Sequence, residues 1–94
     1  MVDHHYYITG IDIQQNNGNP LKVSGIDYHG RRYEGTFDRD CIQDGMLEVR
    51  VISFVENTEW AWVKPVSGSF HDEKGASRDE GIPVKKVDIR GIVK

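Results

Sequence analysis

Leu47-Glu48-Val49-Arg50-Val51-Ile52-Ser53-Phe54-Val55 and, after Glu56-Asn57-Thr58, Glu59-Trp60-Ala61-Trp62-Val63-Lys64 are the stretches whose reading decides the fold. Side chains of an extended chain alternate between two faces, so Leu47, Val49, Val51 and Val55 fall together opposite Glu48 and Arg50. The pattern predicts two half-buried antiparallel strands joined by the Glu56-Asn57-Thr58 turn. Trp60 and Trp62 share one face of the second strand, and two indoles bring more apolar area than any other pair in the chain. They are the expected anchor of the core.

Strand signals continue on both sides. Upstream, Tyr6 to Gln14 is rich in β-branched and aromatic residues and reads as a first strand, ended by Gln15-Asn16-Asn17-Gly18-Asn19-Pro20, where Asn17-Gly18 suits a tight hairpin. Leu21 to Tyr28 is a second strand whose apolar positions change phase after Gly25, which predicts a bulge there. A turn at His29-Gly30 leads to a third strand in which Tyr33 and Phe37 oppose Arg32, Glu34 and Thr36. From Asp38, a helix N-cap residue, to Gly45, suited to a left-handed C-cap, one or two helical turns are expected.

Downstream, the segment 65–83 has glycines, serines and no apolar periodicity, and predicts a flexible loop. Val84 to Val93 recovers strand character, with Val87 and Ile89 in phase. The expected fold is therefore mainly β: a small antiparallel barrel-like or sandwich domain of about six strands with one short helix, spanning residues 1–94 as a single domain. A terminal strand leaves an edge, and an edge invites a second copy of the chain, so a homo-oligomer is expected.

Composition narrows the function. The chain has 94 residues, 37% hydrophobic and 29% charged, too apolar for a disordered chain. Its longest uncharged apolar run, Val51 to Val55, is far short of the ~18 residues of a membrane helix. Met1 to His5 lacks the basic and apolar regions of a secretory signal, so no membrane partner and a cytoplasmic setting are expected. Net charge is -3, which disfavours a polynucleotide partner, since affinity for nucleic acid rests on neutralising phosphates. Cys41, the only cysteine, permits no internal disulfide and reads as a small partly buried hydrophobe.

No phosphate loop, dinucleotide fingerprint, His-Glu-x-x-His or serine elbow is present. Asp38, Asp40 and Asp44 lack the glycine and glutamate that an EF-hand loop needs, Gln43 and Val49 standing there instead, and read as capping and solubilising acids. Asp72-Glu73-Lys74 matches the acid-x-lysine element of metal nucleases but falls in a loop, and His4, His5, His29 and His71 read as solvated. No metal and no cofactor are expected.

One set stands out: Tyr28, His29, Arg31, Arg32 and Tyr33 on one hairpin, with Trp60, Trp62 and Lys64 on another. Aromatic rings can stack on a planar ligand while cations pair with phosphate or carboxylate. The chain therefore reads as a non-enzymatic binding module for a protein partner or a small anionic, nucleotide-like ligand, using these residues as its ligand-binding set. The alternatives are a single-stranded nucleic-acid binder stacking bases on the same rings and a metal-dependent hydrolase built on Asp38, Asp40 and Asp44.

Overall fold

The computed structural model describes residues 4–14 and 20–93. The mainly β, antiparallel architecture expected from the period-two patterning is present, as two sheets facing across one core rather than a closed barrel. The larger sheet contains β1 (His4–Ile8), β5 (Ile42–Gln43), β6 (Met46–Phe54), β7 (Trp60–Pro65), β8 (Ile82–Lys85) and β9 (Ile89–Val93); the smaller contains β2 (Asp12–Gln14), β3 (Leu21–Ile26) and β4 (Arg32–Phe37). Their orders are β8-β7-β6-β1-β9, with β5 also on β6, and β2-β3-β4. Among the described residues no helix is long and apolar enough to cross a membrane.

The core is built by alternation on both sheets. Leu47 and Val49 of β6, Val63 of β7, Ile82 and Val84 of β8 and Ile8 of β1 meet Val23, Tyr33 and Phe37 of the smaller sheet. Tyr33 and Phe37 lie on the inner face, as their spacing predicts, and each sets its ring edge-on to Phe70, at 5.1 and 5.6 Å between centroids. Phe70 comes from the segment 66–81, in which no periodicity marks a core residue. It is nevertheless completely buried, and His71 beside it exchanges backbone hydrogen bonds with Glu34 of β4 at 2.9 Å.

Five local expectations change. The indole pair is not in the core: Ala61 and Val63 point inward and are fully buried, while Trp60 and Trp62 take the outer face of β7 and are only partly buried. The first strand is two strands in different sheets, parted at Gly10, whose φ of 71° turns the chain. No bulge occurs at Gly25, since β3 and β4 keep one register throughout and Ile26 is left exposed. Gly25 is instead covered by the Tyr33 ring: a Cβ there would lie 2.6 Å from Tyr33 Cζ. The bulge sits in β6, where the register shifts between Val51 and Ser53 and leaves Ile52 unpaired, setting Ser53 opposite Trp62.

The expected helix over Asp38 to Gly45 is reduced to one 3-10 turn, Arg39–Cys41. Asp44 and Gly45, with φ of 52° and 77°, are the two central residues of a tight hairpin between β5 and β6, not a helix cap. The last strand is interrupted as well, because Lys86–Asp88 form a 3-10 turn that leaves Val87 71% exposed between β8 and β9. Cys41 is half-buried against the core. The Asn17-Gly18 turn lies outside the described residues, although β2 and β3 on either side of it pair antiparallel.

Phe70 fills the space between two aromatic rings, so Phe70→Ala is expected to cost about 3–5 kcal/mol of stability in urea unfolding. Phe54, 48% exposed at the end of β6, provides the control: Phe54→Ala is expected to cost under about 1 kcal/mol.

Candidate aromatic and basic face

The outer face of the larger sheet follows from the pairing of its strands. Residues directly opposite in an antiparallel pair share a face, so the face that carries Trp60 and Trp62 also carries Lys64, Arg50 opposite Lys64, Ser53 and Pro83 opposite Trp62, and Lys85 opposite Trp60. Arg50, Lys64 and Lys85 are exposed. Two indoles are thus bracketed by cations. The rings contact each other edge-on at 5.4 Å between centroids. Beside Lys85, a shallow hollow of about 460 Å³ opens between Glu59, Lys85, Lys86 and Val87.

The turn after β3 extends this surface. Tyr28 stacks on Trp60 with centroids 6.1 Å apart and an interplanar angle of 26°, and His29 meets the same indole edge-on at 6.0 Å. The Tyr28 amide donates to the Pro83 carbonyl at 2.8 Å, fixing the turn to the rim of the sheet. Pro83 is fully buried although it lies on the face opposite Ile82 and Val84.

Asp27 holds that turn in place. Its Oδ1 accepts from the amides of His29 and Arg31, both at 2.9 Å, while its own amide donates to the Arg31 carbonyl. The chain repeats this device: Asp72 Oδ1 accepts from the amides of Lys74 and Ala76 at 2.9 Å, and its amide donates to the Ala76 carbonyl. Both turns read Asp-x-x-Gly-x, with Gly30 and Gly75 at positive φ. The Ala76 and Lys74 amides hold the Asp72 carboxyl below its ordinary range.

The two turns differ in what else the carboxylate does. Asp27 is completely buried as a side chain, and its Oδ2 accepts from Arg78 Nη2 at 2.8 Å. Arg78 belongs to the segment 66–81, and its amide donates to the carbonyl of buried Phe70. One ion pair therefore locks the Tyr28 turn to the segment that supplies a core ring. Arg78 Nη1 is buried with no acceptor among the described residues, so the guanidinium is held by its packing and by this carboxylate.

The ligand-binding set read from the sequence separates into three places. Tyr28, Trp60, Trp62 and Lys64 come together on the outer face. Tyr33 is 2% exposed and serves the core; burial, with Asp27, Asp88 and Asp12 nearby, drives its hydroxyl far above the ordinary phenol range. Arg31 and Arg32 line a different cleft with Lys74 and Arg78, where Asp72, Glu73 and Glu80 offset their charge, and Arg32 Nε lies 3.7 Å from Glu34. Among the described residues Asp38, Asp40 and Asp44 do not meet as a ligand set, and neither do the histidines; His5 pairs with Glu48 at 2.7 Å. Burial, then Asp38, pushes the Cys41 thiol up, away from the reactive thiolate.

His29 joins the face as a member of the aromatic and basic set; Arg50 and Lys85 join it, and Asp27 and Arg78 support it, without a sequence signal that marks them. The repeated Asp-x-x-Gly spacing was a readable sign of the two turns; nothing in it distinguishes the carboxylate that would be buried. Comparison with protein-family models, with curated proteins and with solved structures returns no match.

Removing the buried carboxylate strands Arg78, so Asp27→Ala is expected to destabilise the protein by about 3–5 kcal/mol, whereas Asp72→Ala, which breaks an identical but exposed turn, is expected to lower the urea midpoint far less. The raised Tyr33 pKa gives an alkaline limit. Its neutral form is favoured on folding, so that contribution is complete below the unfolded phenol's value of about 10 and is lost as pH rises above it. Tyr33→Phe is expected to flatten the fall of stability between neutral and strongly alkaline pH, read from urea midpoints across that range.

Proposed function

We propose that the chain is a single-domain, non-enzymatic binding module that takes a small anionic ligand bearing a planar ring, of the nucleotide type, on the outer face of β7 and β8. The observation that carries this reading is the pair of tryptophans left partly buried on the outer face, in line with Lys64 and facing Lys85, while Ala61 and Val63 are buried on the inner one. Exposed aromatic area of this kind on a small protein marks a contact surface. The indoles and Tyr28 offer stacking, and Arg50, Lys64 and Lys85 offer the charge that an anionic group needs. An intracellular setting, where such ligands are abundant, belongs to the same reading.

A second reading is favoured by the extent of the face. Cations at both ends of a row of rings suit a short single strand whose bases stack while its phosphates run past Lys64 and Lys85, in spite of the overall negative charge. Tryptophan emission distinguishes the outcomes. Titration with adenosine monophosphate is expected to quench it, and Trp60→Ala is expected to weaken binding by about 1–3 kcal/mol, the usual worth of one stacked ring. An oligothymidylate binding more tightly, with an affinity that falls steeply with salt, would favour the strand. Emission unaffected by either probe would remove the proposal.

A further inference from the structure

Among the described residues the two strand orders end on four edge strands, and three of these are closed or short, as is the two-residue β5 beside them. On β8, Pro83 has no amide proton and its carbonyl is taken by Tyr28. On β4, Glu34 exchanges both backbone hydrogen bonds with His71, and β2 is only three residues long. β9 is different: five residues, Ile89–Val93, pair with β1 on one side and with nothing among the described residues on the other.

The pairing fixes which groups of β9 face outward. The Thr9 amide donates to the Asp88 carbonyl at 2.8 Å, and Thr9 and Asp88 stand opposite each other in the continued β1–β9 register. Hydrogen-bonded and non-hydrogen-bonded pairs alternate along an antiparallel ladder. Arg90 and Ile92 therefore turn their backbone groups toward β1, and Ile89, Gly91 and Val93 turn theirs away. The Ile89 amide is already used by the Lys86 carbonyl. What remains is both groups of Gly91 and Val93 and the second lone pair of the Ile89 carbonyl, which Arg90 Nη1 reaches at 3.4 Å.

We propose that β9 pairs antiparallel with β9 of a second copy of this chain, with Gly91 facing Gly91 across a two-fold axis. Only this register aligns all five residues of the strand. It joins the two Gly91 residues by a reciprocal pair of hydrogen bonds and sends each Val93 amide to the facing Ile89 carbonyl. It also lays Val93, 57% exposed in the single chain, beside Ile89 of the other copy. The larger sheets merge into one, and the edge that would otherwise template aggregation is consumed. β9 lies at the opposite end of the sheet from β7 and β8, so the pairing and the ligand proposal stand independently.

Light scattering coupled to size exclusion is expected to give twice the single-chain mass of 10.7 kDa at high micromolar concentration. A Cβ at position 91 makes only ordinary contact with the Tyr6 ring, at 3.5 Å, so Gly91→Asp is compatible with the single chain yet sets two carboxylates against each other across the axis. That variant is expected to halve the mass while keeping the circular dichroism spectrum. The register is read separately, in a Cys41→Ser background: Gly91→Cys is expected to form a covalent dimer on mild oxidation, and Val93→Cys, which faces Ile89, is not. A single-chain mass for the unaltered protein, or efficient cross-linking through position 93 and none through 91, would overturn the proposal.

Discussion

The buried pair of Asp27 and Arg78 is the constraint on which the arrangement of this protein turns. Taking both charges out of water is costly, and replacing such a pair with apolar residues often leaves stability unchanged, so the pair is better understood by what it positions. Through Oδ1 it fixes the turn that carries Tyr28 and His29; through Oδ2 it fixes the segment that carries Phe70. A polar clasp thereby sets both a core ring and a surface ring. Without it, the turn that stacks Tyr28 on Trp60 would keep only its backbone bonds, from Tyr28 to Pro83, Asp27 to Arg31 and Gly30 to Asp27.

The position of the tryptophans follows from how the core is filled. Three aromatic rings, Tyr33, Phe37 and Phe70, enter from the smaller sheet and the loop, and the larger sheet answers them with Val63, Val49 and Leu47. Close-packed interiors leave little room for further bulk. Ala61 is fully buried on the inner face of β7, and the indoles on either side of it are turned outward by alternation. The β6 bulge then places Ser53, not Ile52, against Trp62.

The sequence carried more of the fold than of the face. Alternation identified which residues share a side in β4 and β7, putting Trp60 with Trp62, and in β6 as far as Val51; the bulge that follows breaks the phase that was to include Val55, which lies past the end of the strand. Alternation could not say which side was inside, because Ala61 and Val63 satisfy the same period as the indoles, and the choice was made on size. Tyr33 and Tyr28 looked equivalent for a related reason: one alternates into the core, whereas the other follows the strand's end, where period two no longer applies. Phe70 and Arg78 were illegible because their burial depends on contacts with β4 and the Tyr28 turn, far away in sequence. Lys64 shares the outer side with the tryptophans because it continues the alternation that they begin.

Nuclear Overhauser contacts from the two indole rings test the central claim most directly, since the outward placement of Trp60 and Trp62 underlies every use of this face. The account predicts cross-peaks from Trp60 to the rings of Tyr28 and His29 and from Trp62 to Trp60, with none from either indole to Leu47 or Val49. Indole contacts to those core side chains, and none to Tyr28, would contradict it.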